Sequence, residues 1–220
     1  MKKIVLAVLA LSLSQTGCAQ EVKWGVKAGH NLSTFDGDYD GIEYVSGFHA
    51  GVLSEVKLSQ KFGLQAELLY SREGGRYDFE MSEPPFDIEA SEKVTLGYLN
   101  LPVMAKYYTL GGFSFEAGPE IGWLLSGKSD YDATITIDDE TFEESGSIDV
   151  KDKLKAISYG VNVGVGYEFK NHLFLQARYH LGLSNNSKGN DPGEDEDEFT
   201  GANPDKLKNQ GFQFSVGYKF

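Results

Sequence analysis

The sequence predicts an all-β protein: eight antiparallel strands, wound up and down and closed into a barrel that crosses a membrane. Three observations predict it. Apolar side chains alternate with small or polar ones at a period of two through most of the chain beyond residue 20, which is the period of a strand with two unlike faces. The apolar face carries no formal charge and holds the bulky aromatics, while the opposite face holds the charges and most of the glycines. The connections between alternating segments are short and long by turns. Composition agrees: 26 glycines, 6 prolines and 13% aromatics favour strands and turns.

The chain opens with an address. Lys2 and Lys3 precede an apolar run, Ile4 to Leu13, and a small polar tail, Ser14 to Ala19. That order is a secretory signal peptide, and its core is too short to span a bilayer. Gly17 and Ala19 fit the −3 and −1 positions of a cleavage before Gln20, giving a signal peptide over 1–19 and a barrel domain over 20–220. Cys18 after Gly17 also fits a lipidation signal, but Gln15 stands where an aliphatic residue is wanted. Cleavage before Gln20 removes the single cysteine. The mature chain is then held by pairing and packing without covalent staples. No apolar run long enough for a helical span follows.

The alternation places strands over 22–32, 46–58, 62–73, 94–108, 113–126, 155–169, 172–184 and 210–220. One face of the first three carries Val22, Trp24 and Val26, then Phe48, Val52 and Val56, then Leu64, Leu68 and Tyr70. In the next three it carries Leu99, Leu101 and Val103, then Phe113, Phe115 and Ile121, then Val161, Val163 and Val165. It ends with Leu173, Leu175 and Leu181, and with Phe212, Phe214, Val216, Tyr218 and Phe220. The other face holds Lys23, Lys27, Glu55, Lys57, Glu67, Lys106, Glu116, Glu120, Glu168, Arg178 and Lys219, with glycines and serines between them.

A soluble barrel also alternates, with its apolar face inside. Here size is allotted the other way. The interior of an eight-strand barrel is just wide enough for side chains to fill. Small and polar residues suit it, and bulky apolar ones suit lipid. Aromatics also gather at the strand ends, Trp24, Tyr107, Phe113, Tyr167, Tyr218 and Phe220 at one rim and Phe48, Tyr70, Trp123, Tyr159, Tyr179 and Phe212 towards the other, as in the girdles of membrane barrels. Lipid offers no hydrogen bonds, so the sheet must close on itself.

Ser59 to Lys61, Thr109 to Gly112 and Lys170 to Asn171 are tight turns. The connections near 33–45, 74–93, 127–154 and 185–209 are long and hold most of the 33 acids. Short inner turns and long outer loops belong to outer-membrane barrels. The reading is therefore a bacterial outer-membrane protein with both termini periplasmic and an acidic outer crown. Its net charge of −13 argues against nucleic acid as a partner.

Several segments then resemble a known family. Trp24-Gly-Val-Lys-Ala-Gly-His-Asn-Leu-Ser33, Tyr98-Leu-Asn-Leu-Pro-Val-Met-Ala-Lys-Tyr107, Gly118-Pro-Glu-Ile-Gly122, Tyr159-Gly-Val-Asn-Val-Gly-Val-Gly-Tyr167 and Gly217-Tyr-Lys-Phe220 resemble the PorT-like outer-membrane β-barrels of Bacteroidetes-type bacteria. The resemblance implies an eight-strand barrel similar to OmpA and OmpX, and no catalytic residues. The founding member is tied to protein secretion to the cell surface. Phe212, Phe214, Val216, Tyr218 and Phe220 look like the C-terminal signal read by the barrel-assembly machinery. Expected partners are thus outer-membrane lipid, that machinery and a surface or secretion protein.

Site candidates are few. The lumen charges read as an ion-paired plug, since unpaired buried charge is costly, with a narrow gated path as the rival. Asp36, Asp38 and Asp40 with Gly41 match the first half of a calcium loop, but Gly47 stands where a bidentate Glu is needed. Asp191 to Glu198 is an acidic run of the usual solvated kind. His30, Ser33 and Asp36 share one end of a strand and are a thin basis for a hydrolase. No cofactor is expected, and the function read is non-enzymatic surface interaction, envelope integrity or assistance to secretion. The alternative is a narrow solute channel or carrier. Lysine in place of Val163 is expected to block membrane assembly, and lysine in place of Gln176 to be milder.

Overall fold

A computed structural model describes residues 22–36, 42–83, 86–137, 140–188 and 207–220. The strands are β1 (Val22–Asp36), β2 (Ile42–Lys57), β3 (Phe62–Glu83), β4 (Phe86–Tyr108), β5 (Phe113–Ile137), β6 (Glu140–Asp149), β7 (Ile157–Glu168), β8 (Leu173–Gly182) and β9 (Lys208–Lys219). Each of β1 to β5 pairs with the next. β5 then pairs with β7, β7 with β8, β8 with β9, and β9 with β1. Every pairing is antiparallel, from Val22↔Val56 around to the closing Gly25↔Lys219. Among the described residues eight strands therefore make a ring, and a ninth, β6, stands outside it.

The short turns need little chain. Ser59 Oγ accepts from the backbone N–H of Lys61 and Phe62 at 3.2 and 3.0 Å. The turn into β5 runs through Gly111 and Gly112 at φ 81° and 92°, a region that a Cβ disfavours. Outward side chains at this end form a girdle, with Phe62 against Tyr107 at 5.2 Å and Phe113 against Tyr167 at 4.6 Å between ring centroids. A second girdle includes Phe48 against Tyr70 at 5.9 Å and Tyr179 against Phe212 at 5.0 Å. Phe113 and Trp123 are roughly 33 Å apart along β5 at ~3.3 Å per residue. At a tilt near 40° that is about 25 Å along the axis, the height of a lipid-facing band.

Two expectations need correction. The second and third long connections are mostly strand. β3 and β4 pair without a register shift from Arg72↔Gly97 out to Glu83↔Phe86, and β5 follows β4 out to Phe86↔Ile137. The third connection also contributes β6, which pairs with the far half of β5 from Lys128↔Asp149 to Ile137↔Glu140. At 22, 23 and 25 residues, β3, β4 and β5 are at least twice the roughly 9–11 residues with which a tilted strand crosses a bilayer. They rise beyond the far girdle as a four-stranded projecting sheet, edged among the described residues by β6 on one side and by the far end of β3 on the other.

The polarity of the wall inverts where this sheet begins. Below, the outward face is apolar and the lumen face polar. Above, Tyr77, Phe79 and Met81, Ile88 and Ala90, and Ala133 and Ile135 continue the lumen side. Asp78 and Glu80, Asp87 and Glu89, and Asp130 and Asp132 continue the outer one. β3 and β4 change by sequence alone. β5 needs a bulge: Gly97 faces Ser126 while Tyr98 faces Leu124, so Leu125 is extra. One inserted residue flips every later side chain to the other face. β2 has a matching shift between Tyr44 and His49, which turns Ile42 inwards.

Candidate functional site

The lumen is the first candidate, and its side chains come from every strand of the ring. Nearest the short turns, Lys219 bridges Glu55 and Glu168 at 2.8 and 2.6 Å, with Lys23 at 3.8 Å from Glu168. Lys106 reaches Glu55 at 3.0 Å and Glu116 at 3.8 Å. Arg178 forks onto Glu67 at 2.9 and 2.6 Å and also donates to Glu116 through Nε. Lys27 completes the ladder on Glu67 at 2.7 Å. Five cations and four carboxylates thus form one connected path. Gln176 and Gln65 brace it: Gln176 accepts from Lys27 at 3.3 Å and donates to Glu116 at 3.1 Å, and Gln65 accepts from Lys106 at 2.9 Å. Lys57 instead places its ammonium 5.3 Å from the centroid of the Tyr108 ring.

Burial makes this ladder strong and unforgiving. Glu55, Glu67 and Arg178 are at most 2% exposed, and a charge so placed costs several kcal/mol unless paired and hydrogen-bonded. Lysine at position 176, expected to be milder than lysine at position 163, would still carry a cost in this geometry. It would remove an acceptor from Lys27 and add a cation beside Arg178.

Further along the axis the chemistry changes. His49 contacts Asn31 Oδ1 at 2.6 Å and Ser215 Oγ at 2.7 Å. Asn162 donates to Glu120 at 2.8 Å, and His180 Nδ1 lies 3.1 Å from Asn162 Oδ1 and 3.6 Å from Glu120. Glu73 accepts from Asn100 at 3.1 Å and Asn209 at 3.3 Å. An apolar cluster of Phe35, Leu96, Tyr98, Leu124 and Leu154 then closes the mouth, with Ile42, Val94, Val150 and Leu207 packed on it. Two cavities beside this column, one against Glu168 and Lys219 and one against Glu73 and His180, each have a volume of about 10 Å³, about the size of one water.

The residues expected to point inward do so. Sequence reasoning placed Gln176 in the lumen but missed Glu73, which falls at the edge of the second long connection, and the neutral members Asn31, His49, Gln65, Asn100, Asn162, His180, Asn209 and Gln213. All share parity with the inward charges of their strands, and that signal is sufficient to find them. Phe212, Phe214, Val216, Tyr218 and Phe220 all face outwards and are exposed. Asp36 ends β1 opposite Lys208. Asp38, Asp40, residues 1–21 and the run 191–198 lie outside the described residues. His30 and Ser33 project from opposite faces of β1. His30 is exposed, 3.4 Å from Ser46 Oγ, whereas Ser33 is buried and accepts from the Gly74 N–H at 2.8 Å. The fold does not bring that trio together.

Close packing requires a small residue at one inward position in particular. A Cβ on Gly164 would stand 2.5 Å from the Ala177 carbonyl oxygen and 2.7 Å from Arg178 Cγ. Gly164→Val is expected to push Arg178 off its carboxylates and cost ~1–3 kcal/mol as an overpacked site. A urea titration of the micelle-refolded barrel checks this, with the midpoint falling at unchanged slope.

The projecting sheet is the second candidate. Its outer face is charged, with Arg76 to Asp78 at 2.8 Å and Lys128 to Asp130 at 3.0 Å. The Ser147 hydroxyl and the Lys128 ammonium hold the Asp130 carboxyl below its usual range. Its other face exposes Phe79, Met81, Phe142 and Ile148.

Residues 14–188 match the family described as outer membrane protein beta-barrel domain. No curated protein matches the sequence. Among solved structures, the chain is similar to the attachment invasion locus protein Ail of Yersinia pestis at 13% identity, over 91% of this chain and 99% of that one, with a TM-score of 0.42. It is similar to Neisserial surface protein A at 12% identity, over 91% and 99%, with a TM-score of 0.43. A major outer membrane protein of Thermus thermophilus gives 15%, 91% and 100%, with a TM-score of 0.44. A closed antiparallel ring, an apolar belt between two aromatic girdles, a polar interior and a family match over most of the chain have one meaning: this protein belongs to the outer-membrane protein β-barrel domain family.

Proposed function

We propose that this outer-membrane barrel is a non-enzymatic, PorT-like pedestal. It holds an acidic projecting sheet at the cell surface for interaction with a surface, envelope or secretion partner. The observation that carries this reading is the contrast between the two halves of the molecule. The membrane half is filled by a buried ion ladder and an apolar lid. The other half continues β3, β4 and β5 far past the lipid band and adds β6 to them. A filled wall with a long extension is suited to presenting a surface. In this reading residues 1–19 are a cleaved signal peptide, 20–220 form the barrel domain, the termini and short turns are periplasmic, and the C-terminal outward residues of β9 engage the assembly machinery.

Orientation and role are tested together. The cleaved chain is free of cysteine, so single cysteines report cleanly. Thr141→Cys on β6 is expected to react with a membrane-impermeant maleimide on intact cells, and Ser59→Cys only after the outer membrane is breached. The reverse pattern would invert the proposal. In planar bilayers the purified barrel is expected to give no stable conductance steps, and regular steps would favour a solute path instead.

A further inference from the structure

We infer that the free edge of β6 is a docking site for an extended, basic segment of another protein, which would add to the projecting sheet as a further antiparallel strand; this names the partner chemistry of the display surface proposed above and rests on that reading. The backbone makes the case first. β6 pairs with β5 through ten consecutive residue pairs with no bulge, and the sheet order ends at β6. Among the described residues nothing pairs with its second edge, which therefore offers a straight ladder of donors and acceptors to an incoming strand. Edges of this kind are normally blunted by charged side chains, proline, a bulge or a cover; β6 carries charges of one sign only, four acids, which repel another acidic strand and attract a basic one. Glu140-Thr-Phe-Glu-Glu-Ser-Gly-Ser-Ile-Asp149 contains neither proline nor lysine.

The side chains then specify the occupant. On the outer face of the sheet β6 presents Glu143 and Asp149, beside Asp130 and Asp132 of β5. On the other face it presents Phe142 and Ile148, 58% and 49% exposed, with Glu140 and Glu144 beside them. Cross-strand neighbours stabilise a sheet when opposite charges or apolar groups meet. The complementary strand thus alternates Lys or Arg with β-branched or aromatic residues. A second copy is the natural rival for any open edge, but it would bring four more acids to the four of β6, and full antiparallel overlap would set Glu140 against Asp149 at both ends, which is unfavourable. The acidic run 191–198 of the chain itself has the same sign.

The test uses the full barrel in phosphatidylcholine nanodiscs, which lack anionic lipid. The probe is a fluorescein-labelled ten-residue peptide alternating lysine with valine and tyrosine. A second peptide of equal charge carries proline at alternate positions, so it cannot join a ladder. The alternating peptide is expected to bind at least tenfold more tightly than the proline peptide. The doubly substituted barrel Glu143→Lys/Glu144→Lys is expected to lose at least tenfold in affinity, while keeping the gel mobility of a folded barrel. Isotope-edited infrared spectra of the bound peptide are expected to show strand absorption. Equal binding of both peptides would reduce the effect to unspecific charge attraction and overturn the inference. So would unchanged affinity for the charge-reversed barrel, or a barrel that sediments as a dimer whose formation depends on β6. Conductance steps would sink the pedestal reading and leave these binding results standing. A silent bilayer with no discrimination between peptides would sink the edge inference alone.

Discussion

Val163→Lys is expected to leave the chain unable to assemble in a bilayer. Val163 lies midway along β7, opposite Ala117 on one side and Tyr179 on the other, and its side chain is 53% exposed on the apolar belt. A lysine at the midplane of a lipid-facing strand costs ~2–4 kcal/mol. Domains have only about 5–15 kcal/mol of stability in all, so a loss of that size at the centre of the belt is severe. The measurement is the folded fraction after refolding into phosphatidylcholine vesicles, read from the mobility difference between unboiled and boiled samples. Val163→Leu keeps the face apolar and is expected to fold as the parent does. Equal folding of Val163→Lys and the parent would mean that this face does not meet hydrocarbon.

Arg178→Met is expected to have the second large effect, from the inside. Arg178 is the junction of the ladder, holding Glu67 by two bonds and Glu116 by a third. Its removal leaves two buried carboxylates, Glu67 with Lys27 alone as its cation and Glu116 with Lys106 at 3.8 Å. Breaking a buried pair by deleting one partner costs about 3–5 kcal/mol, whereas removing both is far milder. Urea unfolding in micelles should therefore show a large drop in midpoint for Arg178→Met. Part of that drop should be recovered when Glu67→Gln is added. If the single variant unfolds with the parent, the ladder does not hold the ring together.

The two variants act on opposite faces of one wall, and those faces are readable to different degrees. Strands between the girdles keep period two with few inward apolar residues, such as Leu53, Leu69, Met104 and Phe174, because lipid and lumen are solvents of opposite kind. Val161, Val163 and Val165 against Gly160, Asn162 and Gly164 is such a run. The projecting sheet reads as loop because its outer side chains are acids and serines, the usual marks of solvated chain. Yet Tyr77, Phe79 and Met81 and then Ile88 and Ala90 keep the alternation on the hidden face. β6 is different in kind. Only Phe142 and Ile148 mark its apolar side, and its strand conformation comes from the β5 ladder beside it. Glu73 is missed at a strand boundary. It shares parity with Glu67 and Ser71, and only the apparent end of the strand hides its place in the lumen. The bulge at Leu125 is visible as the break in alternation at Trp123-Leu-Leu125, but the new face it sets up is defined by β4 across the ladder.

That bulge also fixes how deep the protein sits. Beneath it the cylinder is greasy outside and charged within, and above it the arrangement is exchanged. A rise of one strand repeat would lift the tyrosines and phenylalanines of the upper belt into water. A fall would carry Lys128, Asp130 and Asp132 into acyl chains. Either displacement is opposed around the circumference, because the shift in β2 lies at a similar height. The inserted leucine thus acts as a waterline on the hull. It gives the molecule a single draught and holds β6 at a set distance from the lipid headgroups.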